Sequence, residues 1–181
     1  HLYAMRGAYD DALNIYNDIL KNKPNQAPIL YQKASIYDVK GDKRQAVKLY
    51  EEVLDIDKNH ALALNNLSMI MLEVYDDKKR ALELASKSFR LRPDVPNILD
   101  TLGYALLKNG QIDASISFLE TAASLLPDEA SVQIHLAEAY KASGRYDEAI
   151  TRLSAVRDKT ATDSELNAAE ALMKEINRAI N

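Results

Sequence analysis

Apolar residues recur at every third or fourth position along most of the chain, in pairs of segments that flank a glycine. The segment before Gly41 carries Leu30, Ala34 and Tyr37 at this spacing. The segment after Gly41 has the same spacing, with Ala46, Leu49, Tyr50, Val53 and Leu54. Such spacing places side chains on one face of an α-helix. The pattern therefore predicts pairs of amphipathic helices joined by a tight turn.

The helix pairs repeat with a period of 34 residues. Gly7 and Gly41 lie 34 residues apart, and so do Gly110 and Gly144. Small residues within the first helix of each pair follow the same phase, in steps of 34, 35 and 34: Ala34, Ser68, Gly103 and Ala137. The one extra residue must then fall in the glycine-free turn 74–80. A fixed period of this length indicates a repeat architecture.

The glycines and the small residues have different predicted roles. We expect each turn glycine, Gly7 included, to adopt a left-handed backbone conformation that ends the first helix at little steric cost. We expect the small residues of the first helices to face small residues of the second helices, since only these allow two helix axes to approach closely. The facing residues are Ala46, Ala81, Ser115 and Ala149.

One family shows this order of small, aromatic, glycine and alanine positions. The most regular copy, residues 130–159, is ASVQIHLAEAYKASGRYDEAITRLSAVRDK. It resembles the tetratricopeptide repeat at Leu136, Ala137, Tyr140, Gly144, Tyr146 and Ala149. The resemblance implies an all-α protein, built as a right-handed α-solenoid, or superhelix, of antiparallel helix pairs. It implies about four and a half repeats followed by a C-terminal capping helix.

The period also predicts the organisation of the chain. We expect the repeat array over residues 1–159, with repeats at 1–26 (partial), 27–60, 61–95, 96–129 and 130–159. Thr162 and Glu165 have the spacing of a capping box and open a last helix over 160–181, which would cover the end of the array. Because His1 falls in the middle of a first helix, we also expect further repeats upstream.

A longer stretch is similar to a narrower group. Residues 64–122 resemble the last repeats of large bacterial proteins associated with exopolysaccharide production and export. The shared features are the pair Asn65 and Asn66, the glycine-free third turn and the phrase ILDTLGYALL. In that group the repeats act as assembly scaffolds in the cell envelope. The resemblance therefore favours the periplasm or cell envelope over the cytoplasm.

Composition removes several classes of function. The net charge of −4, with no basic run, gives no electrostatic surface for nucleic acid, and we expect none as a partner. No apolar run approaches the roughly 20 residues that span a bilayer, so we expect no direct membrane insertion of this fragment. The absence of cysteine excludes disulfides and thiolate zinc sites. His1, His60 and His135 have no spacing that suits a metal or a general base, and we expect no cofactor.

In each first helix, the apolar face packs against the second helix. The opposite face is then the candidate functional surface, which we call the groove. Helical spacing assigns to it Tyr31, Gln32, Ser35, Asn65, Asn66, Met69, Leu72, Asp100, Thr101, Tyr104, Leu107, Ile134, His135, Glu138 and Lys141. The amides suit the backbone of an extended peptide, and the aromatic and thioether groups suit apolar contacts. The sequence thus predicts a scaffold that binds another protein, as an extended peptide or a helix, and not a strongly charged one.

Three alternatives stay open at this point. Tyr104 and Met69 could simply fill space between neighbouring first helices. The chain could instead be a structural module that forms a homo-oligomer through apolar surface at its first end. An enzyme is disfavoured, and a titratable pair such as His135 with Glu138 would be its only support.

Overall fold

The computed structural model describes residues 2–156 and 161–180, and every regular element among them is an α-helix. This confirms the predicted all-α class. The helices are α1 (Leu2–Asn22), α2 (Ala27–Val39), α3 (Lys43–Ile56), α4 (Ala61–Glu73), α5 (Lys78–Leu91), α6 (Pro96–Lys108), α7 (Ile112–Leu125), α8 (Ala130–Ala142), α9 (Tyr146–Val156) and α10 (Asp163–Ile180).

Successive helices pack as hairpins. The most extensive contacts of the molecule lie within the pairs α2–α3, α4–α5, α6–α7 and α8–α9, and each pair stacks on the next. This is the arrangement of an α-solenoid, as predicted. The right-handed sense, the number of repeats and the repeat boundaries stay predictions. The expected junction between array and capping helix at 159 and 160 lies outside the described residues.

Local signals fix where the helices begin. Asp42 caps α3, because its Oδ1 accepts a hydrogen bond from the Gln45 backbone N–H at 3.1 Å. Asp77 caps α5 in the same way. Pro28 and Pro96 lie in the first turns of α2 and α6, where a missing N–H costs no helical hydrogen bond.

The turns within the hairpins use a left-handed residue. Gly41, Gly110 and Gly144 have φ values of 83°, 76° and 78°, which confirms the predicted role of these glycines. In the glycine-free third turn Asp76 takes this conformation, with φ of 50°. Aspartate tolerates the left-handed region better than most residues, so the turn closes without glycine.

The prediction of a turn at Gly7 is wrong. Helix α1 is continuous from Leu2 to Asn22, and Gly7 lies inside it. Gly7 is not among the glycines with positive φ, and a glycine inside a helix costs only about 1 kcal/mol relative to alanine. The position of Gly7 in the period is therefore not enough to end the helix.

Small residues do bring the paired helices together. Ala34, Ser68 and Ala137 have no exposed surface, and the Ser68 hydroxyl donates to the Ala81 carbonyl oxygen at 2.8 Å. A Cβ on Gly103 would lie 2.6 Å from Cγ of Leu119 on α7. The α6–α7 hairpin is therefore too closely packed for any side chain at this position.

The core consists of two apolar clusters that meet in the middle of the array. One cluster is built mainly from α2–α6 and the other from α6–α10. Phe89 and Phe118 pack against both, and their rings meet edge to face with centroids 5.2 Å apart. The core is thus continuous along the solenoid.

Helix α10 closes the second cluster. It begins with the predicted capping box, in which the Thr162 N–H donates to Glu165 Oε2 at 2.7 Å and the Glu165 N–H donates to the Thr162 hydroxyl at 3.3 Å. Three of its apolar residues are buried against the array: Ala169, Leu172 and Ile176.

The first helices lie on the inner side of the array. Helix α4 contacts α6, α6 contacts α8 and α8 contacts α10. Across the described residues, no comparable contact joins α3 to α5 or α5 to α7. From α4 onward, the helices on the groove side therefore approach each other more closely than the second helices do.

Candidate functional site

The groove residues differ widely in exposure. Gln32 is exposed, and a second group is half-buried: Tyr31, Ser35, Asn66, Met69, Tyr104, Leu107, Glu138 and Lys141. A third group is buried: Asn65, Leu72, Asp100, Thr101, Ile134 and His135. Thr101 is the least exposed of these at 2%, and its hydroxyl donates to the Asn97 carbonyl oxygen at 3.0 Å, so its part in a binding surface stays a prediction. Neighbouring first helices touch, and this covers the flanks of each helix.

The first half of the groove is organised by a tyrosine that lies outside the predicted set. Tyr50 extends from α3 with no exposed surface. Its hydroxyl accepts a hydrogen bond from Asn66 Nδ2 at 2.9 Å and lies 3.3 Å from the Ser35 hydroxyl. Burial raises the pKa of Tyr50 to about 12, so the phenol is neutral. We call Ser35, Tyr50, Asn65 and Asn66 the neutral cluster.

Asn65 is the unusual member of the neutral cluster. Its Nδ2 donates to Asn66 Oδ1 at 3.3 Å, whereas its own Oδ1 is buried and accepts no hydrogen bond within the described structure. A buried carbonyl oxygen without a donor costs about 1–3 kcal/mol. The cluster therefore contains an unused acceptor, which is shielded from solvent in the free chain.

Tyr31 forms one edge of the neutral cluster. Its ring lies 4.8 Å from the ring of His60 and 5.9 Å from that of Tyr50. His60 is itself fixed, because its Nδ1 caps α4 by accepting from the Ala63 N–H at 3.2 Å. Packing thus holds the Tyr31 ring in a defined orientation at the first end of the groove.

The second half of the groove is ionised. His135 Nδ1 lies 2.9 Å and 3.1 Å from the two carboxylate oxygens of Asp100, which links α8 to α6. The His135 ring stacks on Tyr104 with centroids 3.9 Å apart and an interplanar angle of 18°. Burial alone would lower the pKa of His135, but the charge of Asp100 and its hydrogen bond raise it above the usual value.

A second ion pair lies beside the first. Lys108 Nζ donates to Glu138 Oε2 at 2.7 Å and sits 4.5 Å above the centre of the Tyr104 ring. Glu138 is therefore the partner of Lys108, not of His135, and the pair considered as support for an enzyme does not form. We call Asp100, Tyr104, Lys108, His135 and Glu138 the ionic cluster.

The groove deepens into a cavity next to the ionic cluster. The cavity has a volume of about 520 Å³ and lies between α6, α8 and α10. Leu107, Leu172 and three alanines form the apolar half of its lining. The other half is polar, and there Lys108 pairs with Glu138 and Lys141 pairs with Glu175. The cavity thus combines apolar surface with charges that already neutralise each other.

Two further properties, metal-ligand groups and membrane-spanning helices, concern the described residues as a whole. Among residues 2–156 and 161–180, no three His, Asp or Glu side chains are grouped to hold a metal ion. No helix in the same ranges has the length and apolarity to cross a membrane. The arrangement offers hydrogen bonds, aromatic faces and an apolar cavity, which are means of binding.

Comparison with known proteins assigns the family. The sequence model of the tetratricopeptide repeat matches residues 3–70 and 106–173. The chain belongs to the tetratricopeptide-repeat family. Tetratricopeptide repeats generally serve as non-catalytic scaffolds, and this fits the binding character of the groove.

The individual proteins that this chain resembles are only distantly similar to it in sequence. The chain is 30% identical over 119 residues to the TPR repeat-containing protein PA4667 of Pseudomonas aeruginosa, covering 66% of this chain and 20% of that protein. It is 23% identical over 149 residues to the human protein O-mannosyl-transferase TMTC1, covering 80% and 17%. The chain therefore spans about a fifth of the length of these curated relatives.

A solved structure shows the same fold. The model superimposes on the crystal structure of YrrB, described as a TPR protein with an unusual peptide-binding site, with a TM-score of 0.64. The sequences are 17% identical, and the match covers 88% of this chain and 82% of the other. At this identity the likeness concerns the tetratricopeptide fold alone.

Proposed function

We propose that the chain is a non-catalytic scaffold whose groove binds an uncharged segment of another protein. The observation that carries the proposal is the buried, unpaired carbonyl oxygen of Asn65. A folded protein that keeps such an acceptor loses stability by it. The oxygen has almost no accessible surface in the free chain, so the Asn65 side chain would have to turn toward the groove to accept a donor from a partner. A backbone N–H is the donor that every peptide carries, and this bond would remove the loss.

The neutral cluster favours an extended partner backbone. Asn66 is engaged with Tyr50, and this interaction fixes the amide of Asn66 beside that of Asn65. A fixed amide loses little entropy when a partner binds. Tyr31, held against His60, then offers an aromatic face next to the same stretch of backbone.

The cavity favours an apolar side chain further along the partner. About half of its lining is apolar, and its lysines already have carboxylate partners. A charged side chain would have to compete with those pairs, whereas an aliphatic or aromatic one would only displace water. Leu107, Glu138 and Lys141 of the groove border this cavity.

The likenesses support the proposal without identifying the partner. YrrB is a TPR protein described by its peptide-binding site, and it shares the fold of this chain. The resemblance of residues 64–122 to repeats of exopolysaccharide-associated proteins suggests, as a finer part of the proposal, assembly within a bacterial envelope. One relative is named a transferase, but its repeats match at 23% identity over 17% of that protein, so we extend no catalysis to this chain.

Replacement of Asn65 by leucine separates binding from folding. Leucine has a similar size and no unpaired polar atom, so Asn65→Leu should leave the free energy of unfolding unchanged or raise it. Peptides selected on the wild-type chain from a displayed random library should bind this variant at least about tenfold more weakly, the equivalent of one hydrogen bond.

The matched control is Asn59→Leu, which changes an exposed asparagine in the turn before α4. It should leave peptide affinity unchanged. Equal affinity of the wild-type chain and Asn65→Leu for every selected peptide would contradict the proposal.

A second candidate is self-association at the first end of the array. Helix α1 exposes 59% of Ile15 and 37% of Ile19. Exposed apolar area of this kind is a feature of subunit contacts. Light scattering over a range of concentrations tests it, since Ile15→Ser with Ile19→Ser should abolish any increase in mass with concentration. A wild-type chain whose mass does not change with concentration would rule this candidate out.

A further inference from the structure

The pair of Asp100 and His135 is the most deeply buried titratable contact between two repeats. The side chains are each 10% exposed, and they join α6 to α8 rather than the two helices of one hairpin. We propose that this pair is a pH-responsive brace of the inner wall, which holds α8 on α6 while His135 carries a proton and loosens when the proton is lost. The proposal goes beyond binding in the groove, and it stands whether or not a partner is present.

The His135 ring is held closely by Asp100 and Tyr104. His135 Nδ1 donates toward both oxygens of Asp100, at 2.9 Å and 3.1 Å, while the flat face of its ring is covered by Tyr104. The neutral imidazole keeps its Nδ1–H and still donates to Asp100. What disappears with the proton is the attraction between opposite charges, and a buried carboxylate is then left without a counter-charge.

The charges around His135 also favour its protonated form. Helix α6 contributes Asp100 and α4 contributes Glu73, and both are negative. Lys108 of α6 and Glu138 of α8 also lie nearby, and they pair with each other. The ammonium of Lys108 is neutralised by Glu138, so it does not oppose the proton on His135. On the α10 side, Glu175 is paired with Lys141.

The remaining neighbours of α8 act on its other face. Tyr140 of α8 donates a hydrogen bond to Glu120 of α7. Arg152 of α9 donates one to Gln133 of α8. Tyr140 and Gln133 are five and two positions from His135, and at 100° per residue they project from the far side of the helix. The ring therefore responds mainly to the groups of α4, α6 and its own helix.

The direction of the pH effect follows from this environment. The pKa of His135 in the folded chain is raised above the ordinary value of 6.5. A group that holds its proton more tightly when folded stabilises the protein fully below its unfolded pKa, and this stabilisation is lost as the pH rises through the folded pKa. We therefore expect the brace to be complete in mildly acidic solution and to weaken at alkaline pH.

Titration of the imidazoles by NMR in the whole chain is the first test. His60→Asn, which preserves a capping residue, and His135→Gln assign the signals. We expect the midpoint of His135 to lie above 6.5 in the wild-type chain, and to fall by about one unit or more in Asp100→Asn, which keeps the shape and removes the charge. A wild-type midpoint at or below 6.5 overturns the proposal, even if no variant folds.

Thermal unfolding between about pH 6 and pH 9 is the second test. The unfolding temperature of the wild-type chain and of His60→Asn should fall across the His135 midpoint. The decrease should be absent from Asp100→Asn and His135→Gln. Hydrogen exchange, corrected for its intrinsic pH dependence, should show loss of protection in α8 but not in α2. An equal decrease in all four chains would also overturn the proposal.

Discussion

The two halves of the groove use the same positions of the repeat with different chemistry. In the first half, hydroxyl and amide groups surround the neutral phenol of Tyr50, whose hydroxyl also lies 3.5 Å from a carboxylate oxygen of Asp38. In the second half, equivalent surfaces of α6 and α8 carry two ion pairs around Tyr104. Both halves are built from the same helix hairpins.

This difference shows how a repeat separates structure from specificity. Apolar and small positions are reused in each hairpin because they determine the packing. The polar positions are free to vary, so the two halves can present different chemistry to one partner. We expect a partner to bind along both halves, and we expect its contact to the second half to change with pH.

The largest expected effect concerns the packing that supports the ionic cluster. Gly103→Val would place a branched side chain against Leu119, and we expect a loss of about 3 kcal/mol in the free energy of unfolding. Ala34→Ser is the control at the same position of the first half, where serine fits, as Ser68 shows. Chemical denaturation of both variants checks this. Similar losses in the two would mean that the halves are packed equally closely.

An intermediate effect is expected in the neutral cluster. Tyr50→Phe leaves the amide of Asn66 and the hydroxyl of Ser35 without their shared partner, at a cost of about 1–2 kcal/mol. The matched control is Tyr140→Phe, which loses only a hydrogen bond to the exposed Glu120. Denaturation curves should show a clearly smaller loss for the control, and the reverse order would refute the central role given to Tyr50.

The smallest effect is expected for the second ion pair. Glu138→Gln keeps a hydrogen-bond acceptor for Lys108 and removes its counter-charge, on a surface that is about a third exposed. We expect a change below about 1 kcal/mol in the free energy of unfolding, reduced further by salt. A larger loss, unaffected by salt, would show that both ion pairs of the second half brace the helices.

The helices and turns could be predicted because the repeat constrains them several times over. Gly41, Gly110 and Gly144 occupy the left-handed turns, and Thr162 with Glu165 forms the capping box. The turn at Gly7 could not be predicted from its phase alone. A glycine can lie inside a helix at a cost of about 1 kcal/mol relative to alanine, so its place in the period does not by itself require a turn.

The groove was predictable as a surface but not in its internal contacts. The pairing of Asp100 with His135 links positions 35 residues apart, one repeat plus one residue, and that spacing was the available signal. Tyr50 was assigned to the packed stripe, although the matching positions of later repeats hold Ala85, Leu119 and Leu153. A tyrosine at a position that is otherwise small or aliphatic indicates that its hydroxyl extends beyond the apolar face of the helix.

The turn at Asp76 has a practical consequence. The extra residue of the third repeat is absorbed entirely between α4 and α5, in a segment whose side chains are exposed from Val74 to Arg80. The helices on either side keep their pairing despite it. A fluorophore or affinity tag attached here would therefore leave the inner wall undisturbed, and it would report on binding from the rim of the solenoid.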